Sequence, residues 1–332
     1  MSTSRSLILV IGCGSIGERH VRTFLATGRV DVIACDNRPA ILQQISERYG
    51  VVTTADWTRA LDDPSVTGVV IATPAPAHVA MARRCLDAGR HVLIEKPLSL
   101  DLNGIAELRE AHLRARRFVG VGYVLHFLPA LQGARTFLRT HPFGEVRHIA
   151  INTGQHFPSF RPAYRDIYYA DRNQGGGAIQ DALTHMANAV EWIVGPTKRV
   201  FCDAAHQVLE GVSVEDTVNV TARNGHALVS YALNQFQSPN ETRWDIHAET
   251  GSVRIEYHAQ RWGTLARGAT EWTWHAAPIA ERDEIYAAQA SAFLDGCAGE
   301  PSELCTLDEG VQTLRFNLAA LASWQEGRPV DL

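Results

Sequence analysis

Three groups of residues in this chain have types and spacings suited to chemistry. The first is Gly12-Cys13-Gly14-Ser15-Ile16-Gly17, which follows an apolar run and opens a helical pattern. In such a turn Gly12 makes the tight bend, Gly14 lets the backbone approach a pyrophosphate, and Gly17 lets helix and strand pack closely. The N–H groups around Ser15 and Ile16, with the partial positive charge of a helix start, suit a phosphate. Asp36 lies 24 positions after Gly12 and ends the run Val32-Ile33-Ala34-Cys35-Asp36. A carboxylate there, with Asn37 next to it, accepts hydrogen bonds from the adenine ribose and repels a 2′-phosphate, which favours NAD. Arg38 can pair with that phosphate instead and keeps NADP open.

The second group is Glu95-Lys96-Pro97, just past the strand candidate His91–Ile94. Open α/β sheets place ligands at this end of their strands. A residue before proline is conformationally restricted, which helps to aim the Lys96 side chain. By itself Lys96 reads first as a surface lysine after a strand. The third group is Asp181 and His185, at i and i+4 on one face of a helical pattern. A surface ion pair is the plain reading of that spacing. Around them, however, lie Ile179, Leu183, Met186, Val190 and Ile193. A charged pair amid that much apolar surface is costly unless it is paired or lines a cavity. Ammonium, imidazole and carboxylate together suit oxidation of an alcohol. That reaction needs a base near the hydroxyl, a donor to steady developing charge, and a nicotinamide face for the hydride.

Further candidates surround these groups. Thr73, Pro74 and His78 follow the strand candidate Val66–Ala72, and His78 is expected either to support the Thr73–Pro74 turn or simply to start the helix that follows. The stretch His156–Arg172 carries Arg161, Tyr164, Arg165, Asp166, Tyr168 and Tyr169, whose forks and phenols suit sugar hydroxyls, carboxylates or a diphosphate. An ordered surface loop packed by its aromatics is the alternative. The scattered histidines lack metal-ligand spacing, so no metal site is expected. Trp244, Trp262, Trp272 and Trp274 read as sheet packing or a subunit contact.

The elements that must position these residues fall into two patterns. Over residues 1–125, apolar runs (Ser6–Ile11, Val30–Cys35, Val66–Ala72, His91–Ile94, Arg117–Val121) alternate with helical stretches (Ser15–Thr27, Pro39–Tyr49, Pro76–Ala88, Leu102–Ala115). This predicts an α/β, doubly wound parallel sheet, a Rossmann domain for NAD(P). Over 126–332, a helix (Pro129–Thr140), a long strand (Glu145–Gln155) and a helix opened by Gly175-Gly176-Gly177 and running to about Val194 come first. Strands of alternating polarity then run to about Arg267, and two helices (Arg282–Cys297, Leu307–Glu326) close the chain. This predicts a second α/β domain with an open, mostly antiparallel sheet, serving substrate binding and oligomerisation. The boundary near 123–127 reads as a direct chain crossing.

Several segments together resemble the Gfo/Idh/MocA family, named for glucose–fructose oxidoreductase, inositol dehydrogenase and a rhizopine-catabolism protein. They are Gly12–Gly17, Ala72-Thr73-Pro74-Ala75-Pro76-Ala77-His78, Ala88-Gly89-Arg90-His91-Val92-Leu93-Ile94-Glu95-Lys96-Pro97, and Gly175-Gly176-Gly177-Ala178-Ile179-Gln180-Asp181 followed by His185. The resemblance implies NAD(P)-dependent oxidation or reduction at a carbinol carbon of a sugar, cyclitol or sugar derivative. Lys96 matches the family lysine, and Asp181 and His185 match its acid and histidine. His185 is then the expected proton acceptor or donor, Lys96 the group that polarises the reacting oxygen, and Asp181 the residue that orients substrate or His185. The division between Lys96 and His185 stays open. Tyr123, His126, Arg161, Arg165 and Tyr168 join them as substrate-binding candidates, and Glu95 joins the cofactor-binding set. His126 and Asn188 depart from the family's usual arginine and aspartate, which bears on substrate identity.

Composition narrows the alternatives. A chain of 332 residues, 45% hydrophobic and 20% charged, with net charge −5, reads as globular, with no clustered basic face for nucleic acid. The short apolar start fits neither a signal peptide nor a membrane span of ~20 residues. Six scattered cysteines suit a reducing cytoplasm. Two rivals remain: an NAD-dependent glycoside-cleaving enzyme that oxidises transiently, and a nucleotide-sensing regulator on the same scaffold. An open sheet face rarely stays solvated, so a homodimer or homotetramer through the second domain is expected.

Overall fold

A computed structural model of the protein describes residues 5–140, 143–279 and 281–332. The first four residues, part of the stretch read above as lacking a leader, lie outside it. The chain divides into two compact units, one of Met1–Phe127 with Glu281–Gly310, the other of Leu128–Ala280 with Val311–Leu332.

In the first unit six parallel strands, β1 (Leu7–Ile11), β2 (Asp31–Cys35), β3 (Val52–Thr54), β4 (Val66–Ile71), β5 (His91–Ile94) and β6 (Val119–Val121), lie in the order β6-β5-β4-β1-β2-β3. The two-residue strand Cys305–Thr306 adds antiparallel to β6. Strand order reverses beside β1, and ligands bind at such a reversal in doubly wound sheets. Ile8, Leu9, Val10, Val69, Val70 and Ile71 are fully buried, as expected for strands covered on both faces. The sequence pattern did not reveal β3. It is a short edge strand whose Val52 is exposed, so it has no apolar run to betray it. The helix expected from Leu102 starts at Ile105, because Gly104 turns left-handed at φ 74.

The return of residues 281–310 to the first unit is absent from the continuous 126–332 division expected from sequence. Its cause is a packing surface. Phe293, on the helix Asp283–Cys297, meets Phe24 edge-on and Phe118 at a tilt. Gly68 on β4 leaves room for the ring; a Cβ there would lie 3.0 Å from Phe293 Cε1. Arg19 and Arg22 close the same contact on Asp283.

The second unit opens with the helix Pro129–Thr140 and builds one sheet from β7 (Val146–His156), β8 (Thr197–Ala205), β9 (Thr217–Asn224), β10 (Ala227–Asn234), β11 (Phe236–Ala248), β12 (Gly251–Glu256), β13 (Arg261–Ala266) and β14 (Thr273–Ala276). Their order is β14-β13-β12-β11-β7-β10-β9-β8, and Val330–Asp331 pairs with β8. The sheet is mostly antiparallel, with β7 and β10 parallel. On β9, Val218, Val220 and Ala222 are buried while Asn219, Thr221 and Arg223 are exposed, so one face is covered and the other open. The strands run past Arg267 to β14, where Trp274 stacks on Trp272. The helix expected to run to Val194 begins as a π-helical turn, Ile179–Leu183, and continues as the α-helix Thr184–Val194.

Candidate active site

The glycine turn of the first unit has the geometry its residues foretell. Gly12 sits at φ +86, and a Cβ there would meet the Ala72 carbonyl oxygen at 2.7 Å. A Cβ at Gly17 would lie 1.7 Å from the Gly12 carbonyl oxygen, so helix and strand touch through this residue. Among the described residues, a Cβ at Gly14 would meet only Arg38 Nη2, at 3.9 Å. The space in front of Gly14 is therefore left open, beside the start of the helix Ser15–Ala26, whose first N–H groups have no partner within the helix. That combination fits a pyrophosphate.

Asp36 stands across the turn at the end of β2. Its Oδ2 accepts the Cys13 N–H at 2.8 Å, and Arg38 reaches both carboxylate oxygens, Nε to Oδ1 and Nη2 to Oδ2, at 2.8 Å each. Burial acts to raise this carboxyl, but the Arg38 side chain and two backbone N–H groups outweigh it and hold the group down at about 2. Asp36 is thus an anion fit to accept ribose hydroxyls. Arg38 and Asn37 are exposed beside it. Burial, helped by the negative charge of Asp36, pushes the Cys13 thiol up to about 12, which makes this cysteine an inert packing group.

Two loops at the carboxyl ends of β4 and β5 are joined by His78. Its Nε2 lies 2.8 Å from the Thr73 carbonyl oxygen and its Nδ1 3.0 Å from that of Pro97. Burial holds His78 below the ordinary histidine value, against the pull of these carbonyls. A neutral imidazole has one N–H, so it donates to one of the two at a time. The ring thus braces the Thr73–Pro74 turn against the Lys96–Pro97 segment, whose peptide bond is cis. Lys96 is half-buried, and its backbone N–H donates to Glu95 Oε2 at 3.1 Å. Tyr123 and His126 are buried; His126 Nδ1–H donates to the Glu303 carbonyl at 2.9 Å.

In the second unit Asp181 is buried on the π-helical turn, a distortion often found at functional positions. Its two oxygens accept from the Arg161 guanidinium at 2.8 Å and the Tyr168 hydroxyl at 2.5 Å. His185 follows half-buried on the first turn of the α-helix. Arg165 goes elsewhere, donating to the Tyr164 hydroxyl and to the Glu210 carbonyl. Tyr164 and Tyr169 form a core with Phe157, Leu209 and Val214, so the packing alternative describes this half of the loop. Asn188 donates to Thr313 in a buried network with Glu191, whose carboxyl is raised by burial.

Sequence reasoning missed Glu215, which holds the loop in place. Its carboxylate accepts the Ile179 N–H at 3.0 Å and Arg172 at 2.8 Å, and a Cβ at Gly177 would lie 2.4 Å from Oε1. The glycines at 176 and 177 make room for this anchor and for the Tyr169 backbone. An acid just before an alternating strand was the available signal. Among the described residues no group of three or more His, Cys, Asp or Glu is placed to hold a metal, and no helix is long and apolar enough to cross a membrane.

Comparison with known proteins bears on the same residues. A family profile described as an oxidoreductase family with NAD-binding Rossmann fold, GFO_IDH_MocA, matches residues 7–123, and one for the GFO/IDH/MocA C-terminal domain matches 131–254. An inositol 2-dehydrogenase of Acidothermus cellulolyticus is 32% identical over 58% of this chain, a match that spans 55% of that relative's length. An inositol 2-dehydrogenase of Rhizobium meliloti is 24% identical over 97% of this chain and 98% of its own. Among solved structures, a levoglucosan dehydrogenase in complex with NADH and levoglucosan superposes with a TM-score of 0.89, at 20% identity over 99% of both chains, a likeness of fold.

Proposed function

Because the chain belongs to the GFO/IDH/MocA oxidoreductase family, we propose that it is an NAD-dependent dehydrogenase or reductase acting at a carbinol carbon of a sugar, cyclitol or sugar derivative. One observation carries the cofactor half of this reading: the ionised Asp36 stands across a Gly12–Gly17 turn that leaves open space at Gly14. Gly14, Ser15 and Ile16, on the turn that Gly12 and Gly17 shape, would hold the pyrophosphate, Asp36 and Asn37 would hold the adenine ribose, and Thr73 and Pro74 would shape the nicotinamide end. A bound nicotinamide cofactor would supply the hydride acceptor in its oxidised form and the hydride donor in its reduced form.

The chain's own residues do the rest. His185 takes the hydroxyl proton on a ring nitrogen during oxidation and gives it back in reduction. The Lys96 ammonium hydrogen-bonds the reacting oxygen and stabilises its developing negative charge. Asp181 holds Arg161 and Tyr168 in fixed directions, and these two hydrogen-bond substrate hydroxyls or a carboxylate. Names of relatives, inositol 2-dehydrogenase and levoglucosan dehydrogenase, support a polyhydroxylated ring as substrate. The open face of the second unit's sheet, which exposes Phe201 and Leu228, supports a homodimer or homotetramer. The unbridged cysteines, most of them buried, support a reducing cytoplasm.

The test is a panel of inositols, sugars and sugar acids scored for NADH and NADPH formation. Net NADH from at least one ring polyol is expected, abolished in Lys96→Met and His185→Ala. Release of a glycosidic leaving group without net NADH would favour the glycoside-cleaving reading, and cofactor binding with no turnover on any polyol the regulatory one.

A further inference from the structure

The first unit holds a buried ionisable pair that the chemistry above does not use. His20, on the helix that begins at the glycine turn, places Nε2 2.7 Å from Glu95 Oε1. His20 is 1% and Glu95 5% exposed. The other carboxylate oxygen, Oε2, accepts the Lys96 N–H. Both oxygens are therefore committed inside the protein, although sequence reasoning set Glu95 among the cofactor contacts. Gly122 forms the floor of the site; a Cβ there would come within 3.0 Å of Oε1. Phe24 and Tyr286 pack around the His20 ring, the latter edge-on. A carboxylate accepts only, so Nε2 carries the hydrogen. Nδ1 is buried and, among the described residues, has no hydrogen-bond partner, so the ring grips Glu95 at one point.

We propose that His20 and Glu95 form a positioning pair for Lys96, in which the imidazole of the dinucleotide helix fixes a buried anion that in turn clamps the Lys96 backbone and sets negative charge beside its ammonium. This rests on the reading of Lys96 as the group that polarises the reacting oxygen. Burial acts to raise the Glu95 carboxyl, yet the His20 hydrogen bond, the charges of His20 and Lys96 and the Lys96 N–H hold it below the usual carboxylate range. A buried polar pair of this kind is a poor device for stability alone, since an apolar pair of equal volume commonly does as well. Its use here follows from where it sits. The carboxylate belongs to the residue before Lys96, so a small rotation of it moves the lysine backbone directly. Loss of the His20 hydrogen bond lets the carboxylate turn or take up a proton, and either change weakens the hold on Lys96.

The deciding experiment compares Glu95→Gln, His20→Leu, His20→Gln, the double variant His20→Leu/Glu95→Gln and Lys96→Met. The readouts are single-turnover hydride transfer, NADH affinity by fluorescence, melting temperature, and the rate at which an amine-acylating reagent labels Lys96 in the cofactor-free protein. Glu95→Gln and His20→Leu should each slow hydride transfer about tenfold or more while NADH affinity stays within about threefold. His20→Gln, which keeps an N–H donor at similar reach, should recover to within about threefold of wild type. The double variant should be no slower than Glu95→Gln, the sign of two residues acting through one. Acylation of Lys96 should quicken in Glu95→Gln, because removing a nearby anion favours the neutral amine. Should His20→Leu not fold, Glu95→Gln and His20→Gln decide. Wild-type hydride transfer and labelling in Glu95→Gln, with Lys96→Met inactive, would overturn the pair and leave the lysine reading standing. Activity retained in Lys96→Met would overturn the lysine reading itself.

Discussion

Arg38 and Asp36, two residues apart at the end of β2, hold each other through two parallel hydrogen bonds of 2.8 Å. Such a fork both orients the carboxylate and occupies the guanidinium that would otherwise attract a 2′-phosphate. Asp36→Ala should therefore lower kcat/KM for NAD by about 10- to 100-fold, the loss expected for a charged hydrogen bond. The same change should raise the NADP-to-NAD ratio, because Arg38 is then released. Steady-state kinetics with both cofactors measure it; an unchanged ratio would show that Arg38 plays no part in discrimination.

The same carboxylate makes a prediction about acid stability. In the folded protein Asp36 titrates at about 2, against 3.8 for its ordinary value. As pH falls through that window the unfolded chain takes up the proton first. The contribution of Asp36 is thus complete above the ordinary value and lost as pH drops toward 2. Urea midpoints of wild type and Asp36→Asn should differ near neutrality and converge in acid.

Gly14 and Gly17 serve different ends, and alanine separates them. At Gly14 the new methyl has room in the protein but fills the approach to the pyrophosphate. Gly14→Ala should keep its cofactor-free melting temperature and lose NADH affinity about tenfold or more, a loss on the order of 1.4 kcal/mol. At Gly17 the methyl collides with the Gly12 backbone. Gly17→Ala should lose both melting temperature and affinity. Calorimetry and fluorescence titration distinguish the two patterns.

Asp181 holds Arg161 and Tyr168 together, so removing it releases both. Asp181→Ala should lower kcat/KM for the polyol by about 100-fold or more with NADH affinity intact. Arg165→Ala should have a far smaller effect, because that guanidinium is tied to Glu210. Equal losses in the two arginine variants, Arg161→Ala and Arg165→Ala, would contradict this division.

Phe201 and Leu228 lie on the open face of the second unit's sheet, each 43% exposed. Phe201→Glu with Leu228→Glu should shift sedimentation toward the monomer while changing unfolding free energy by about 0.5 kcal/mol or less. A wild-type protein already monomeric would end the oligomer proposal.

Legibility of the sequence followed the range of the forces involved. The Gly12–Gly17 turn and Asp36 could be read directly, since a tight bend, an N-terminal helix dipole and a carboxylate at a strand end are local consequences of residue type. Strands buried on both faces announced themselves as apolar runs, and β9 as an alternation. The edge strand β3 and the far strand β14 carried no such mark, because an edge strand need not be apolar on either face.

What the chain determined by itself was the menu: which residues can bend, bind phosphate, carry charge or move a proton. Only tertiary packing decided which of them meet. Arg161 and Arg165 are the same residue type four positions apart, yet one grips Asp181 and the other Glu210. The helix Asp283–Cys297 joins the first unit through Phe293, and His20 finds Glu95 across 75 residues. These partnerships depend on long-range contacts that side-chain chemistry permits and only the assembled core selects.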